Sequence, residues 1–131
     1  MELAALEEKL GEFRRLGAAL IAISPQLPEH SAEMSAKLNL SFPVLSDAHN
    51  EVARRFGIVF RMPHDLVQIY ESLNMDVGKF NGDDSWELAL PARYVIDAEN
   101  VVRSVVVNFD YTYRPEPLET IAELRSFLAR A

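Results

Sequence analysis

Ala18 to Ile23 form an unbroken apolar run. A strand with one wetted face alternates apolar and polar residues, whereas a strand covered on both faces does not. The run therefore reads as a buried strand of a parallel or mixed sheet, and it is far too short to cross a bilayer. Just before it, Leu3, Leu6, Leu10, Phe13 and Leu16 recur at helical spacing. Glu7, Glu8, Glu12 and Arg15 occupy the other faces, and Gly17 stands where a helix C-terminal glycine belongs. A helix running into a doubly covered strand commits the chain to an α/β fold.

The downstream pattern repeats that alternation. Ser24 and Pro25 end the strand, Pro28 opens a second helix, and Ala32, Met34, Ala36 and Leu38 carry it to about Leu40. Phe42 to Leu45 reads as a short strand. Asp47 is placed to cap a third helix, with Val52, Ala53 and Phe56 inward and Gly57 at its end. Ile58 to Phe60 is a brief extended piece, and Pro63 opens a helix with Leu66, Ile69, Tyr70 and Leu73 on one face. Asn74 to Leu90 reads as a loop. Ala92 to Ile96 and Val101 to Phe109 are β-rich and separated by Asp97-Ala98-Glu99-Asn100, so they should pair antiparallel with Asn100 left-handed. After Pro115 and Pro117, Leu118, Ile121, Leu124 and Leu128 mark the buried stripe of a last helix.

The chain has 131 residues, 49% hydrophobic and 25% charged, which fits one domain, 1–131, with a core of its own. Acidic Glu2, Glu7 and Glu8 stand where a secretory signal would need positive charge, so the expected location is cytoplasmic with no membrane contact. The net charge is −7, with Lys and Arg scattered, which argues against nucleic acid as a partner. Cysteine is absent altogether, which excludes thiol nucleophiles and cysteine zinc sites within these residues.

Five landmarks occur in order: Ala22-Ile23-Ser24-Pro25-Gln26, Phe42-Pro43-Val44-Leu45-Ser46-Asp47, Val52-Ala53-Arg54-Arg55-Phe56-Gly57, the loop from Asn81-Gly82-Asp83-Asp84 through Trp86 to Leu88, and Pro91-Ala92-Arg93-Tyr94-Val95-Ile96-Asp97. Together they resemble the AhpC/TSA peroxiredoxin-like family. The resemblance implies a thioredoxin-like fold, a mixed sheet flanked by helices, N-terminally truncated relative to the family. It also implies thiol-dependent antioxidant chemistry, in which a peroxidatic cysteine lies on a strand and turn just before the first helix. Aligned this way, Met1 falls inside that helix, so the cysteine-bearing segment is expected to be missing. The family arginine that precedes its Phe-Val-Ile-Asp-like strand aligns with Pro91. Pro91 instead resembles the cis-proline of thioredoxin-like reductases, which seats an extended substrate; Arg93, two positions on, does not inherit the arginine's role. Without the cysteine-bearing strand, two inner sheet edges would be left open, and unpaired edges are costly if buried and adhesive if exposed. The expectation is that the gap closes directly or is filled by a swapped segment or a partner, with homo-oligomers through sheet edges.

The other candidates carry less. His30, His49 and His64 each lie beside a helix start without converging ligands, and are best read as surface residues, with no metal and no cofactor expected. Asp83 and Asp84 read as loop and cap residues, Tyr111 and Tyr113 as a surface aromatic patch or a strand-end turn, and Ser24 lacks a nucleophile's setting. Trp86 either anchors its loop on the core or lines a groove near Pro91, with Arg93 as a further neighbour. The expected function is a peroxiredoxin-like domain, inactive as a thiol peroxidase in this cysteine-free form. The competing reading is a non-catalytic binding or oligomerisation module of the same fold.

Overall fold

The computed structural model describes residues 2–75, 78, 81–82, 85–107 and 116–130, the side chain of Arg130 excepted. The chain divides into two compact units, one comprising residues 1–21, 40–43 and 91–131 and the other residues 22–39 and 44–90. The described strands form three two-stranded ribbons, one parallel and two antiparallel.

In the first unit, the expected opening helix is broken into α1 (Glu2–Glu8) and α2 (Leu10–Arg15) at Lys9, whose φ of −101° and ψ of 3° leave the helical region. Gly11, two residues on, weakens the helix there by about 1 kcal/mol relative to alanine. Gly17 closes the segment with φ +76°, a conformation that glycine adopts without strain. Residues 40–43 are tied back to these helices: the Ser41 amide donates to the Glu7 carboxylate at 2.9 Å, and Arg14 donates to the Ser41 carbonyl at 3.4 Å.

β5 (Ala92–Ile96) and β6 (Val102–Val107) form the expected antiparallel hairpin. Its turn is built by Asp97, whose Oδ1 accepts from the amides of Glu99 and Val101 while Oδ2 accepts from Arg103 at 2.6 Å. Asn100 takes φ +64° as anticipated. One face of the hairpin carries Val95, which packs with Phe13 and with Ile121 and Leu124 of the closing helix α6 (Pro117–Arg130). The opposite face pairs Tyr94 with Val105 and Ile96 with Val102, and it leaves Ile96, Val102, Val105 and Val107 exposed.

The stripe on α6 differs from the expected one. Ile121 and Leu124 are buried, but Leu118 and Leu128 are 59% and 42% exposed, and Thr120 is buried in their stead. The helix is turned so that Thr120 can meet Arg93 and Phe127 can lie under the Arg103 guanidinium, 5.7 Å from the ring centroid.

In the second unit, β1 (Ala22–Ser24) runs parallel to β2 (Val44–Ser46), with α3 (Pro28–Lys37) between them in sequence. Only two residues of the long apolar run, Ala22 and Ile23, are strand, because a strand extends only as far as its partner. Ser24 belongs to the strand instead of ending it. The buried Ser31 hydroxyl meets Ser46 Oγ at 3.2 Å, while Ile23 and Leu45, directly opposite each other, are exposed on the other face.

A 3-10 turn (Ala48–Asn50) leads into α4 (Glu51–Arg55). Asp47 caps α4 from outside its N-cap position: its two carboxylate oxygens accept the amides of Val52 and Ala53, each at 2.9 Å. β3 (Val59–Arg61) pairs antiparallel with β4 (Glu87–Ala89), a strand inside the stretch that reads as loop. β4 is short and poor in β-branched residues, so its existence rests on a partner about 28 residues away, which no local pattern reveals. α5 (His64–Ser72) starts after Pro63 as expected, but Ile69 and Leu73 are 51% and 61% exposed, against the inward face assigned to them. No helix of the described residues is long and apolar enough to cross a membrane.

Candidate functional site

Arg93 extends from β5 toward α6 and is tied on three sides. Its guanidinium donates to Thr120 Oγ1 and Ser104 Oγ, each at 3.0 Å, and pairs with Glu123 at 2.5 Å. Ser104 in turn donates to the same Glu123 oxygen at 2.7 Å. The Ser104 hydrogen bond, followed by Arg93, holds the Glu123 carboxyl below its ordinary range. One donor of the group, Arg93 Nε, is buried without a partner among the described residues. A guanidinium so engaged joins hairpin to helix, and its charge is already answered by Glu123.

Pro91 is half-buried at the head of β5, and all described peptide bonds are trans, including the one before it. The cis geometry suggested by its resemblance to the thioredoxin proline is thus corrected. Just before Pro91, the Leu90 amide donates to the Ile58 carbonyl at 2.7 Å. Pro91 and Arg93 lie together at the start of β5, whereas Trp86 belongs to the other unit.

Trp86 forms one wall of a cleft of about 570 Å³ along α5. Met62, Pro63 and Val67 supply the apolar lining, and Arg61, His64 and Glu71 the charged or titratable groups. The local sequence explains the arrangement. His64, Val67 and Glu71 are spaced i, i+3 and i+7 on α5, so they share one face. The β3–β4 pairing continues one step beyond the strands, the Met62 amide donating to the Trp86 carbonyl at 2.9 Å. Tyr70 stacks on the indole, with centroids 6.4 Å apart and planes 17° from parallel. Trp86 also has φ +53°, a left-handed conformation unusual for a large side chain and held here by its neighbours. Sequence reasoning singled out Trp86 and His64 but not Arg61, Val67 or Glu71; the i, i+3, i+7 spacing was the available signal.

His30 lies in α3 and His49 in the 3-10 turn with φ +57°, remote in sequence from His64 at the start of α5. Among the described residues no group of three or more His, Asp or Glu is arranged to hold a metal ion. Ser24 Oγ accepts the Gln26 amide at 3.2 Å, a turn contact. Asp83, Asp84, Tyr111 and Tyr113 lie outside the described residues.

Comparison with known proteins adds a second line. The family model described as the AhpC/TSA family matches residues 1–105. The Haemophilus influenzae protein named "Putative peroxiredoxin bcp" is 36% identical over 53 residues, which is 40% of this chain and 34% of that protein. The chain therefore matches about a third of this relative's length. Among solved structures, peroxidoxin BcpB from Mycobacterium tuberculosis superposes with a TM-score of 0.70 at 20% identity, covering 95% of this chain and 68% of that one. Reduced Prx3 from Vibrio vulnificus, solved with hydrogen peroxide, gives 0.72 at 11% identity, covering 95% and 66%. At such identities the structural likeness establishes the fold, which is the thioredoxin-like fold of peroxiredoxins.

Proposed function

Because the chain belongs to the AhpC/TSA family, we propose that these 131 residues supply the peroxiredoxin-like scaffold of a thiol-dependent antioxidant oxidoreductase and do not themselves turn over hydroperoxides. The observation that carries this reading is the absence of any cysteine. In thiol peroxidases a thiolate attacks one peroxide oxygen, the O–O bond breaks, and sulfenic acid and an alcohol or water result; a thiol reductant then restores the sulfur. No histidine, carboxylate or hydroxyl can accept the oxygen and return through that cycle. The engagement of Arg93 with Glu123 supports the same reading, since it leaves no free guanidinium charge at the head of β5 to steady an anionic sulfur. A cytoplasmic site of action belongs to the proposal and rests on family habit alone.

The test is steady-state consumption of hydrogen peroxide or an alkyl hydroperoxide by the purified 131-residue polypeptide with dithiothreitol as reductant. The four methionines can each take up one oxygen, so stoichiometric loss of up to four equivalents is compatible with the proposal. Protein-dependent turnover sustained beyond four equivalents per chain would overturn it.

A further inference from the structure

Of the six asparagines in the sequence, Asn81 is the one followed by glycine. Asparagine is a chemically labile residue, and the side chain of the next residue ordinarily hinders its carboxamide from meeting the following backbone nitrogen. Elsewhere that residue is Leu40, Glu51, Met75, Val101 or Phe109. Gly82 offers no such hindrance, yet the fold requires glycine there. Its φ is +72°, a conformation that glycine adopts without strain. A β-carbon on it would also come within 2.7 Å of Leu27 Cδ2, on the residue that precedes α3. Asn81 itself is helical and only 8% exposed. The Gly82 amide donates to the Gly78 carbonyl at 2.7 Å, closing a helical turn across this dipeptide. The packing therefore demands the residue that leaves its neighbour reactive, and the turn engages the nitrogen that would react.

We propose that Asn81-Gly82 is a site of spontaneous deamidation that the folded chain holds shut, so that the modification marks molecules in which this turn has opened. The reaction needs no reagent but water. The Gly82 nitrogen, having given up its proton, attacks Asn81 Cγ. The new C–N bond closes a succinimide ring, the Cγ–Nδ2 bond breaks, and Nδ2 takes up a proton and leaves as ammonia. Water then opens the ring at either carbonyl: attack at Cγ gives aspartate, attack at the main-chain carbonyl gives isoaspartate, and nothing is oxidised or reduced. In the folded chain the proton that must be lost is engaged by the Gly78 carbonyl, and burial keeps water from Asn81. Opening removes both restraints together. The step is also one-way for the turn. Aspartate sets a carboxylate where burial penalises charge. Isoaspartate adds a methylene to the backbone ahead of the Gly82 amide, which carries that amide away from its Gly78 acceptor.

Ageing the 131-residue chain in mildly alkaline buffer, with and without guanidinium chloride, tests this when each asparagine is followed separately by peptide mapping and mass spectrometry. In denaturant Asn81 should convert fastest of the six, and Gly82→Ala should slow it by restoring a side chain beside the carboxamide. Without denaturant, conversion at Asn81 should be at least about tenfold slower, because it must wait for local opening. Equal rates at Asn81 in the two conditions, a faster asparagine elsewhere in the denatured chain, or no effect of Gly82→Ala in denaturant would overturn the proposal. Asn81→Asp reproduces one product without the reaction, and its denaturation midpoint should lie below the parent's. A midpoint equal to or above the parent's would refute the one-way step.

Discussion

The charged side chains with the most to lose in acid are those whose carboxylates are engaged. The Glu123 carboxyl is lowered by Ser104 and Arg93, and that of Asp97 by the Val101 amide and Arg103. A carboxylate lowered in the folded state contributes stability that is present above its unfolded value and is lost as pH falls through its folded value. For Glu123 that loss begins below its ordinary value of 4.5. Glu123→Gln should therefore lower stability at neutral pH by about 0.5 to 1 kcal/mol, a modest figure because the side chain is 46% exposed and screened. The gap between variant and parent should begin to close as pH drops below 4.5 and vanish once pH falls past the lowered folded value, where the parent's carboxyl is itself protonated. Urea midpoints across the acid range would measure it, and a gap independent of pH would exclude this electrostatic origin. At this scale the sequence was legible where backbone chemistry is local: Gly17, Gly57 and Asn100 all take the positive φ their positions suggest. Arg93 was not, since its partners Ser104, Thr120 and Glu123 come from two other elements.

Most elements were legible in kind and misplaced in extent, and β4, inside a stretch read as loop, was not legible at all, for one physical reason. The helical periodicity of α6 was visible, but periodicity cannot say which of two adjacent stripes faces inward when one carries Leu118 and Leu128 and the other Thr120 and Phe127. Tertiary partners decide it, Arg93 for Thr120 and Arg103 for Phe127. The decision has an energetic signature. Ile121→Ala removes a side chain 1% exposed and packed on Phe13, Val95 and Leu124, and should cost about 2 to 5 kcal/mol. Leu118→Ala, on a side chain 59% exposed, should change stability by no more than about 0.5 kcal/mol. Chemical denaturation of the two variants separates the stripes; equal costs would restore the stripe through Leu118 and Leu128. β1 and β4 follow the same logic, since a three-residue strand is defined by its partner and an unbroken apolar run sets only where a strand can be.

For the whole molecule, the two units are not successive lengths of chain. The backbone passes from one to the other after Ile21, Asn39, Pro43 and Leu90, so no single cut separates them. A chain that returns this often gains little by unfolding one unit alone, because the connecting segments of the other lose their anchors at four points. We therefore propose that 1–131 unfolds as one domain, in a single transition. The sole tryptophan makes this decidable, since Trp86 lies in the second unit and Ile121 in the first. Ile121→Ala should lower the denaturation midpoint reported by Trp86 fluorescence as much as the midpoint reported by far-ultraviolet circular dichroism. If the units unfold independently, the fluorescence midpoint will stay where it is in the parent while the dichroism curve splits into two steps. Coincident displacement of both probes would mean that a loss in the core beneath the hairpin is felt at Trp86, and the chain would then unfold as one cooperative unit.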